Sequence, residues 1–319
     1  MNTVAVSRNP TPLLSRPALS IGLSFLLMGL GYAFPLPLVA HAPDRMWAGQ
    51  MAPEILNLYA LTAWMGQAHF FYAFRGQART LAKQPERSTI FYALVGLTLL
   101  ELIGLRALIG VGLFSALVWI YFIAHFAKSE RVFQSNQSPD APAVALAYYQ
   151  PVLAFTWLSL VLFNVGHVDA HSWILLAVTV ALAAVVLAMG GWKALSSVNA
   201  RFTVLALFLL GECLVWGTYG RYMTPAFRVG VYVFHIAAAS YFHYLGSYFF
   251  AGARSRDALL RPAGIIAVNL AVIALGWTSG FFAWLHWLTP LLGIEWFTLW
   301  VALHLVASDL FPRLRRMTL

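Results

Sequence analysis

Ten apolar runs of about 20 residues follow one another along the chain and leave only short connections between them. A helix needs roughly 20 apolar residues to cross a bilayer whose hydrocarbon core is ~30 Å thick. The sequence therefore predicts an all-α fold, a polytopic bundle of about ten transmembrane helices. The runs cover residues 18–40, 53–76, 88–106, 109–128, 142–166, 171–191, 202–222, 229–251, 263–286 and 290–311.

The composition excludes the main alternatives to a membrane protein. Of the 319 residues, 61% are hydrophobic and 10% are charged, whereas a soluble domain carries about 25% charged residues. A soluble globule of this composition would expose large apolar patches to water. A disulfide scaffold is excluded as well, because Cys213 is the only cysteine.

Positive charge is distributed unevenly between the two sets of loops that ten helices define. Sixteen of the 20 Lys and Arg residues fall on the side that holds both termini, and the other side holds Arg45, Arg106, Arg221 and Arg228. Cytoplasmic loops carry an excess of Lys and Arg, so we expect both termini in the cytoplasm. Residues 1–319 then form a single transmembrane domain, with a short cytoplasmic segment at 1–17 and a basic cytoplasmic tail at 312–319.

The net charge of +9 does not indicate nucleic-acid binding. The basic residues lie in short loops between apolar runs, where they set orientation, and they do not interleave with aromatic residues on a soluble face. We therefore expect the lipid bilayer as the partner and no nucleic acid, while protein partners stay open. The expected location is a plasma membrane, the bacterial inner membrane, as a multi-pass protein.

The third and fourth runs form one long apolar stretch that Gly104, Arg106 and Gly110 interrupt. A single helix through this stretch would place Arg106 deep in lipid, which is costly. The sequence therefore predicts a tight hairpin at this point.

Four histidines lie at similar depths in four different predicted helices. At a rise of 1.5 Å per residue, His69, His243 and His304 lie roughly 4–6 Å to the cytoplasmic side of their span centres, and His125 lies roughly 10 Å to that side. Ionisable residues within spans mark functional sites by default, and a bundle can bring such side chains together in its core. We therefore predict a metal site formed by His69, His125, His243 and His304.

The residue types limit which cofactor such a site would hold. Imidazole is a ligand for iron, copper and zinc, and haem iron also takes histidine ligands. A set without cysteine disfavours a structural zinc site, which usually includes thiolates. We expect a transition metal (iron, copper or zinc), with haem as an alternative. A further alternative is that the histidines only hydrogen-bond across helices and hold the bundle together.

Other polar residues in the predicted spans are candidates for roles near the histidines. Tyr72 and Tyr244 flank two of them and are candidate partners, and Glu212 lies near the predicted midplane. We take Glu212, Tyr72 and Tyr244 as candidate catalytic residues. His235 shares a stripe with Ala239, His243 and Ser247 at a spacing of four residues, and it is a candidate cofactor-binding residue. Glu101 and Glu295 form a second polar group nearer the outside.

Several functions fit these features. A layer of histidines in an aromatic bundle fits a metal-dependent oxidoreductase or oxygenase that acts on a lipophilic substrate. Embedded His and Glu residues also fit a membrane transporter or channel. A haem-binding electron-transfer subunit and a non-catalytic assembly subunit are further alternatives. Metal analysis with an optical spectrum separates these functions, because they differ in bound metal and haem.

Overall fold

The computed structural model describes residues 53–135, 224–252 and 257–316, together with a few helical residues between 23 and 30. This part of the chain is helical with short turns and contains no strand, which confirms the predicted all-α class for it. The predicted spans 142–166, 171–191 and 202–222 lie outside the described residues. The long helices are α1 (Pro53–Leu81), α2 (Pro85–Ile109), α3 (Val111–Ser135), α4 (Pro225–Gly252), α5 (Pro262–Phe281) and α6 (Phe297–Arg316).

Three helical stretches of the described chain are long and apolar enough to cross a membrane, namely Pro85–Ile109, Pro262–Gly280 and Ala283–Arg316. The outer surfaces of α2 and α5 are apolar as well. Large apolar side chains on these two helices are more than half exposed: Leu97, Leu100, Leu108, Ile266 and Leu270. The count of ten spans and the orientation of the chain remain predictions.

Helix α1 lies in the core of the described bundle, where it packs against α2, α4, α5 and α6. Almost every residue between Leu56 and Phe70 is buried. The buried set includes the polar side chains of Asn57, Thr62 and Gln67. A helix that is buried on all sides contacts its neighbours with every face, so polar side chains on it meet protein rather than lipid.

Helices α1 and α4 run in the same direction. The hydroxyl of Thr62 on α1 lies 3.0 Å from the hydroxyl of Tyr241 on α4. About three turns further along, the ring of Tyr72 lies 5.4 Å from the ring of Tyr248. Residue numbers therefore rise together along the two helices.

Helix α6 runs parallel to α1 and α4. Phe297 at the start of α6 packs edge-to-face on Tyr59, with ring centres 6.1 Å apart. At the other end, Leu314 belongs to the same buried cluster as Leu81. The three helices that carry His69, His243 and His304 are thus aligned, which places the three histidines at one level.

Helices α2 and α3 run in opposite directions along α6. Arg87 at the start of α2 donates to the carbonyl of Arg315, and Arg106 at its end donates to the carbonyl of Glu295, so α2 is antiparallel to α6. Ser115 donates to Thr298 at 3.1 Å, and His125 further along α3 lies beside His304, so α3 is parallel to α6.

The connection between α2 and α3 is the single residue Gly110, as the predicted hairpin requires. Its φ of 81° lies in the left-handed region, which glycine adopts without the steric penalty of a side chain. The guanidinium of Arg106 lies 4.3 Å from the centre of the Trp296 ring, which is a cation–π contact. The charge of Arg106 is therefore held against protein at the end of the helix.

The chain between residues 282 and 296, where the predicted spans 263–286 and 290–311 meet, is not one regular helix. This segment consists of short turns, Ala283–Leu288, Thr289–Leu292 and Ile294–Trp296. Pro290 lacks an amide hydrogen, and Gly293 follows it with an extended backbone, so a helix cannot run through both. Glu295 therefore lies in a short turn before α6, within the apolar stretch Ala283–Arg316.

Side chains from the bundle satisfy the carbonyl groups of segment 282–296. The indole of Trp64 donates to the carbonyl of Leu292 at 2.9 Å, and the indole of Trp300 donates to the carbonyl of Pro290 at 2.7 Å. Irregular backbone is tolerated at membrane depth only where protein or water meets its polar groups. These donors let the chain leave regular helical structure beside the bundle.

Basic residues gather at the opposite end of the described helices. Arg75 and Arg79 both pair with the carboxylate of Asp257, which precedes α5. Arg261, Arg313, Arg315 and Arg316 lie at the same end. These basic residues therefore share one end of the described bundle.

Gly66 on α1 lies at the closest approach of α1, α4 and α6. A Cβ atom at this position would lie 2.5 Å from Cε2 of Phe297 and 2.6 Å from the hydroxyl oxygen of Tyr244. We expect Gly66→Ala to destabilise the protein by about 1–3 kcal/mol through overpacking. Thermal unfolding in detergent measures the change.

The matched control is Gly96→Ala on α2, where a Cβ would meet nothing within 4 Å. This substitution should be neutral or stabilising by up to about 1 kcal/mol, because alanine is the better residue within a helix. Equal effects of the two substitutions would contradict the close approach at Gly66.

The ion pairs of Asp257 predict a pH dependence of stability. The hydrogen bond from Arg75 lowers the pKa of this carboxyl group to about 2, with help from the amide of Leu259 and the charge of Arg79. Because the folded state holds the carboxylate, its contribution is complete above about pH 4 and is lost as the pH falls through about 2. Asp257→Asn should therefore lower the melting temperature at pH 7 and have a shrinking effect as the pH approaches 2. A difference from wild type that is independent of pH would contradict this account.

Candidate metal centre

Helices α1, α4 and α6 each contribute one buried histidine to a common point. His69, His243 and His304 are 5%, 2% and 5% exposed. One ring nitrogen from each lies within 4.8 Å of the other two. The predicted convergence of these three residues, called the histidine triad below, is confirmed.

The spacing of the imidazole rings matches that of ligands around one ion. The ring centre of His69 lies 5.0 Å from that of His243 and 5.0 Å from that of His304. With metal–nitrogen bonds of about 2.0–2.1 Å, two imidazoles at a tetrahedral angle have ring centres about 5 Å apart. Small movements of the side chains therefore suffice to bind a metal ion.

His125 on α3 lies beside the triad. Its ring centre is 5.5 Å from that of His243 and 5.3 Å from that of His304. It is only partly buried, and its Nε2 lies 3.3 Å from the hydroxyl of Ser129. The structure thus places all four predicted histidines together, while the group with close nitrogens contains three of them.

The triad contains ring nitrogens that are buried but make no hydrogen bond to the described residues. These are Nε2 of His69 and both ring nitrogens of His304. Buried polar atoms are almost always hydrogen-bonded, and leaving one unsatisfied costs about 1–3 kcal/mol. Packing alone would not favour two such imidazoles, whereas a metal ion bound to the lone pair of each ring would remove the cost at one nitrogen of each.

Aromatic side chains hold the triad in place and exclude water. Tyr244 stacks on His69 with ring centres 4.9 Å apart, and Phe70 stacks on His304 at 4.8 Å. Phe126 lies against the third histidine, 5.5 Å between ring centres. These rings limit rotation of the imidazoles and keep the local dielectric constant low.

The other predicted site residues have different outcomes. Tyr244 contacts His69 as described, but the hydroxyl of Tyr72 donates to the carbonyls of Leu259 and Gly264. Tyr72 therefore connects α1 to the start of α5 and does not turn its hydroxyl towards the triad. Glu212 lies outside the described residues, and so does the side chain of His235.

Sequence reasoning named one neighbour of the triad without giving it a role. Ser247 is one turn beyond His243, and the sequence placed it only on the same stripe. In the structure its hydroxyl oxygen lies 3.0 Å from Nδ1 of His69. A spacing of four residues from a candidate ligand was the signal that could have identified it.

The two acidic residues predicted nearer the outside lie apart from the triad. Glu101 is exposed on α2. Glu295 lines a cavity of about 250 Å³ together with Trp64, Gly276 and His286. Trp64 precedes His69 by five residues, so the cavity lies about 7.5 Å nearer the start of α1.

Comparison of the chain with family models, curated proteins and solved structures gives no match. The chemistry of the triad is therefore the basis for inferring function. Three imidazole ligands leave at least one coordination position open, which is typical of catalytic metal sites and not of closed structural ones. The arrangement can thus hold a metal ion that still binds a further ligand.

The triad predicts which substitutions remove the metal. Replacing His69, His243 or His304 with Ala deletes one of three ligands, so metal affinity should fall by more than the ~10–100-fold typical of losing an outer-shell partner. His286→Ala is the control, because His286 is exposed in segment 282–296. Elemental analysis of the purified variants measures occupancy. Equal metal content in wild type and all three triad variants would contradict the site.

Proposed function

We propose that this chain is a multi-pass membrane protein in which His69, His243 and His304 bind one transition-metal ion, and that it is an oxidoreductase acting on a lipophilic substrate. The observation that supports the proposal most is the buried triad, whose ring nitrogens lie within 4.8 Å of one another. The ring nitrogens of His69 and His304 that make no hydrogen bond to the described residues also support the proposal.

The donor set favours particular metals. Three neutral imidazoles suit iron, copper and zinc, whereas magnesium and calcium prefer oxygen ligands. Iron and copper change oxidation state and so fit an oxidoreductase. When bound, the metal would supply redox chemistry or a Lewis acid at its open position.

A single ion fits the surroundings better than haem does. A porphyrin needs a flat space on the ligand side of each axial imidazole. Here Phe70 and Tyr244 lie against the faces of two histidines, and the neighbouring imidazoles are only 5.0 Å away between ring centres. The nitrogens of the triad, which lie within 4.8 Å of one another, suit a single ion.

The surroundings also favour a lipophilic substrate. The residues around the triad are mainly aromatic, and water-excluding walls of this kind penalise polar groups that find no partner. The apolar outer faces of α2 and α5 suit contact with lipid, from which such a substrate would enter.

The residues at and around the triad have different roles in the proposed site. The triad histidines hold the metal, while Tyr244 and Phe70 orient two of them and exclude water. His125 is partly buried and lies next to His243 and His304. It would hold or move a proton beside a metal bound by the triad.

The proposal is tested on the full chain purified in detergent. We expect about one equivalent of iron or copper per chain, no Soret band, and oxygen consumption that requires added membrane lipid extract. His304→Ala should lose both the metal and the oxygen consumption, and His286→Ala should keep both.

The other possible outcomes would support different functions for the protein. A Soret band would favour a haem-binding electron-transfer subunit. A protein without metal would overturn the site and favour a transporter, channel or assembly subunit. Bound zinc without oxygen consumption would leave the metal site intact and overturn the oxidoreductase.

A further inference from the structure

Ser247 connects one histidine of the triad to the backbone of α4. Its Oγ lies 3.0 Å from Nδ1 of His69 and 2.8 Å from the carbonyl oxygen of Tyr244, one turn earlier on the same helix. His243 lies four residues before Ser247, so both side chains are on the face of α4 that meets α1. The serine thus contacts a candidate ligand from outside the triad.

The two contacts determine where the protons lie. A serine hydroxyl has one proton to donate, and a backbone carbonyl can only accept. The hydroxyl proton therefore goes to the carbonyl of Tyr244, and Oγ accepts from His69. Nδ1 of His69 then carries the proton of the neutral ring, and Nε2 carries the lone pair.

We propose that Ser247 is a positioning residue that fixes His69 in the tautomer with its proton on Nδ1 and so presents the lone pair of Nε2 to the metal. The inference rests on the metal site of the proposed function. Nε2 is the buried nitrogen of His69 that makes no hydrogen bond to the described residues, as expected of a ligand atom. A hydrogen bond at the second nitrogen of a metal-binding histidine sets both tautomer and ring orientation.

Tyr244 contributes to the same arrangement. Its ring stacks on His69 with an interplanar angle of 25°, while its carbonyl takes the proton of Ser247. Backbone and side chain of one residue thus hold the serine and the imidazole. Among the described residues His304 has no such partner, because both of its ring nitrogens lack a hydrogen bond. The inference therefore concerns His69 and does not extend to His304.

The first experiment measures the affinity of the purified full chain for Zn²⁺ against a competing chelator. Ser247→Ala should weaken binding about 10–100-fold, because His69 then also populates the tautomer with its proton on Nε2. Ser247→Thr keeps the hydroxyl and should restore most of the affinity.

Ser115→Ala is the matched control for this titration. Ser115 is another serine within a helix, but its hydroxyl donates to Thr298. It precedes His125 by ten residues, about 15 Å along α3. Its substitution should leave Zn²⁺ affinity unchanged.

The second experiment reads the tautomer directly in the metal-free protein. Nitrogen chemical shifts of ¹⁵N-histidine-labelled protein, with His69 identified by its loss in His69→Gln, should show the proton on Nδ1 in wild type. In Ser247→Ala the shifts should move towards the tautomer with the proton on Nε2. A serine that only stabilised the fold would leave these shifts unchanged.

The two measurements separate failure of this inference from failure of the metal site. If wild type binds no Zn²⁺, the metal site is wrong, and the nitrogen shifts still decide the tautomer of His69. If wild type binds Zn²⁺ and Ser247→Ala binds it as tightly, the role of Ser247 is overturned. A proton on Nε2 of His69 in wild type would overturn it as well.

Discussion

The close approach of α1, α4 and α6 at Gly66 is the constraint on which the site depends. With no side chain at this position, Phe297 from α6 and Tyr244 from α4 lie against the backbone of α1. His69 follows three residues later, and His243 and His304 come from the same two neighbouring helices. Because the three helices run parallel, this one contact brings three imidazoles to one level and within 4.8 Å.

Burial of the three imidazoles is the reason why the arrangement favours metal binding. Imidazoles that reach water need no partner from the protein, but those of His69 and His304 are 5% exposed and keep unsatisfied nitrogens. Among the described residues, an aromatic ring stacks on each of these two imidazoles. A metal ion would use several of these lone pairs at one point. The ordering of His69 by Ser247 and Tyr244 serves the same end.

Much of this could be predicted from the sequence because it depends on position along a helix. Apolar runs located the helices, and a rise of 1.5 Å per residue gave the levels of the histidines. The same arithmetic placed His125 about one turn from the others, which agrees with its location beside the triad. The break at Gly110 followed from the cost of burying Arg106.

What could not be predicted is mainly contacts between different helices. The spacing of residues along one sequence does not show which side chains of two helices meet. The hydroxyl of Tyr72 could have faced the triad or α5, and only packing shows that it meets Leu259 and Gly264. The hydrogen bond of Ser247 likewise depends on the rotation of α4 against α1. The turns of segment 282–296 were not predicted, because its apolar residues extend the hydropathy signal across Pro290 and Gly293. Donors from Trp64, Arg106 and Trp300 are what make that break tolerable.

X-ray absorption spectroscopy on the purified full chain tests the central claim most directly, because it reports the metal and its ligands together. The account predicts one transition-metal ion with at least three imidazole nitrogens at about 2.0–2.1 Å, and a loss of this signal in His304→Ala. A wild-type protein that holds no more metal than His304→Ala, or holds it without imidazole ligands, would contradict the account.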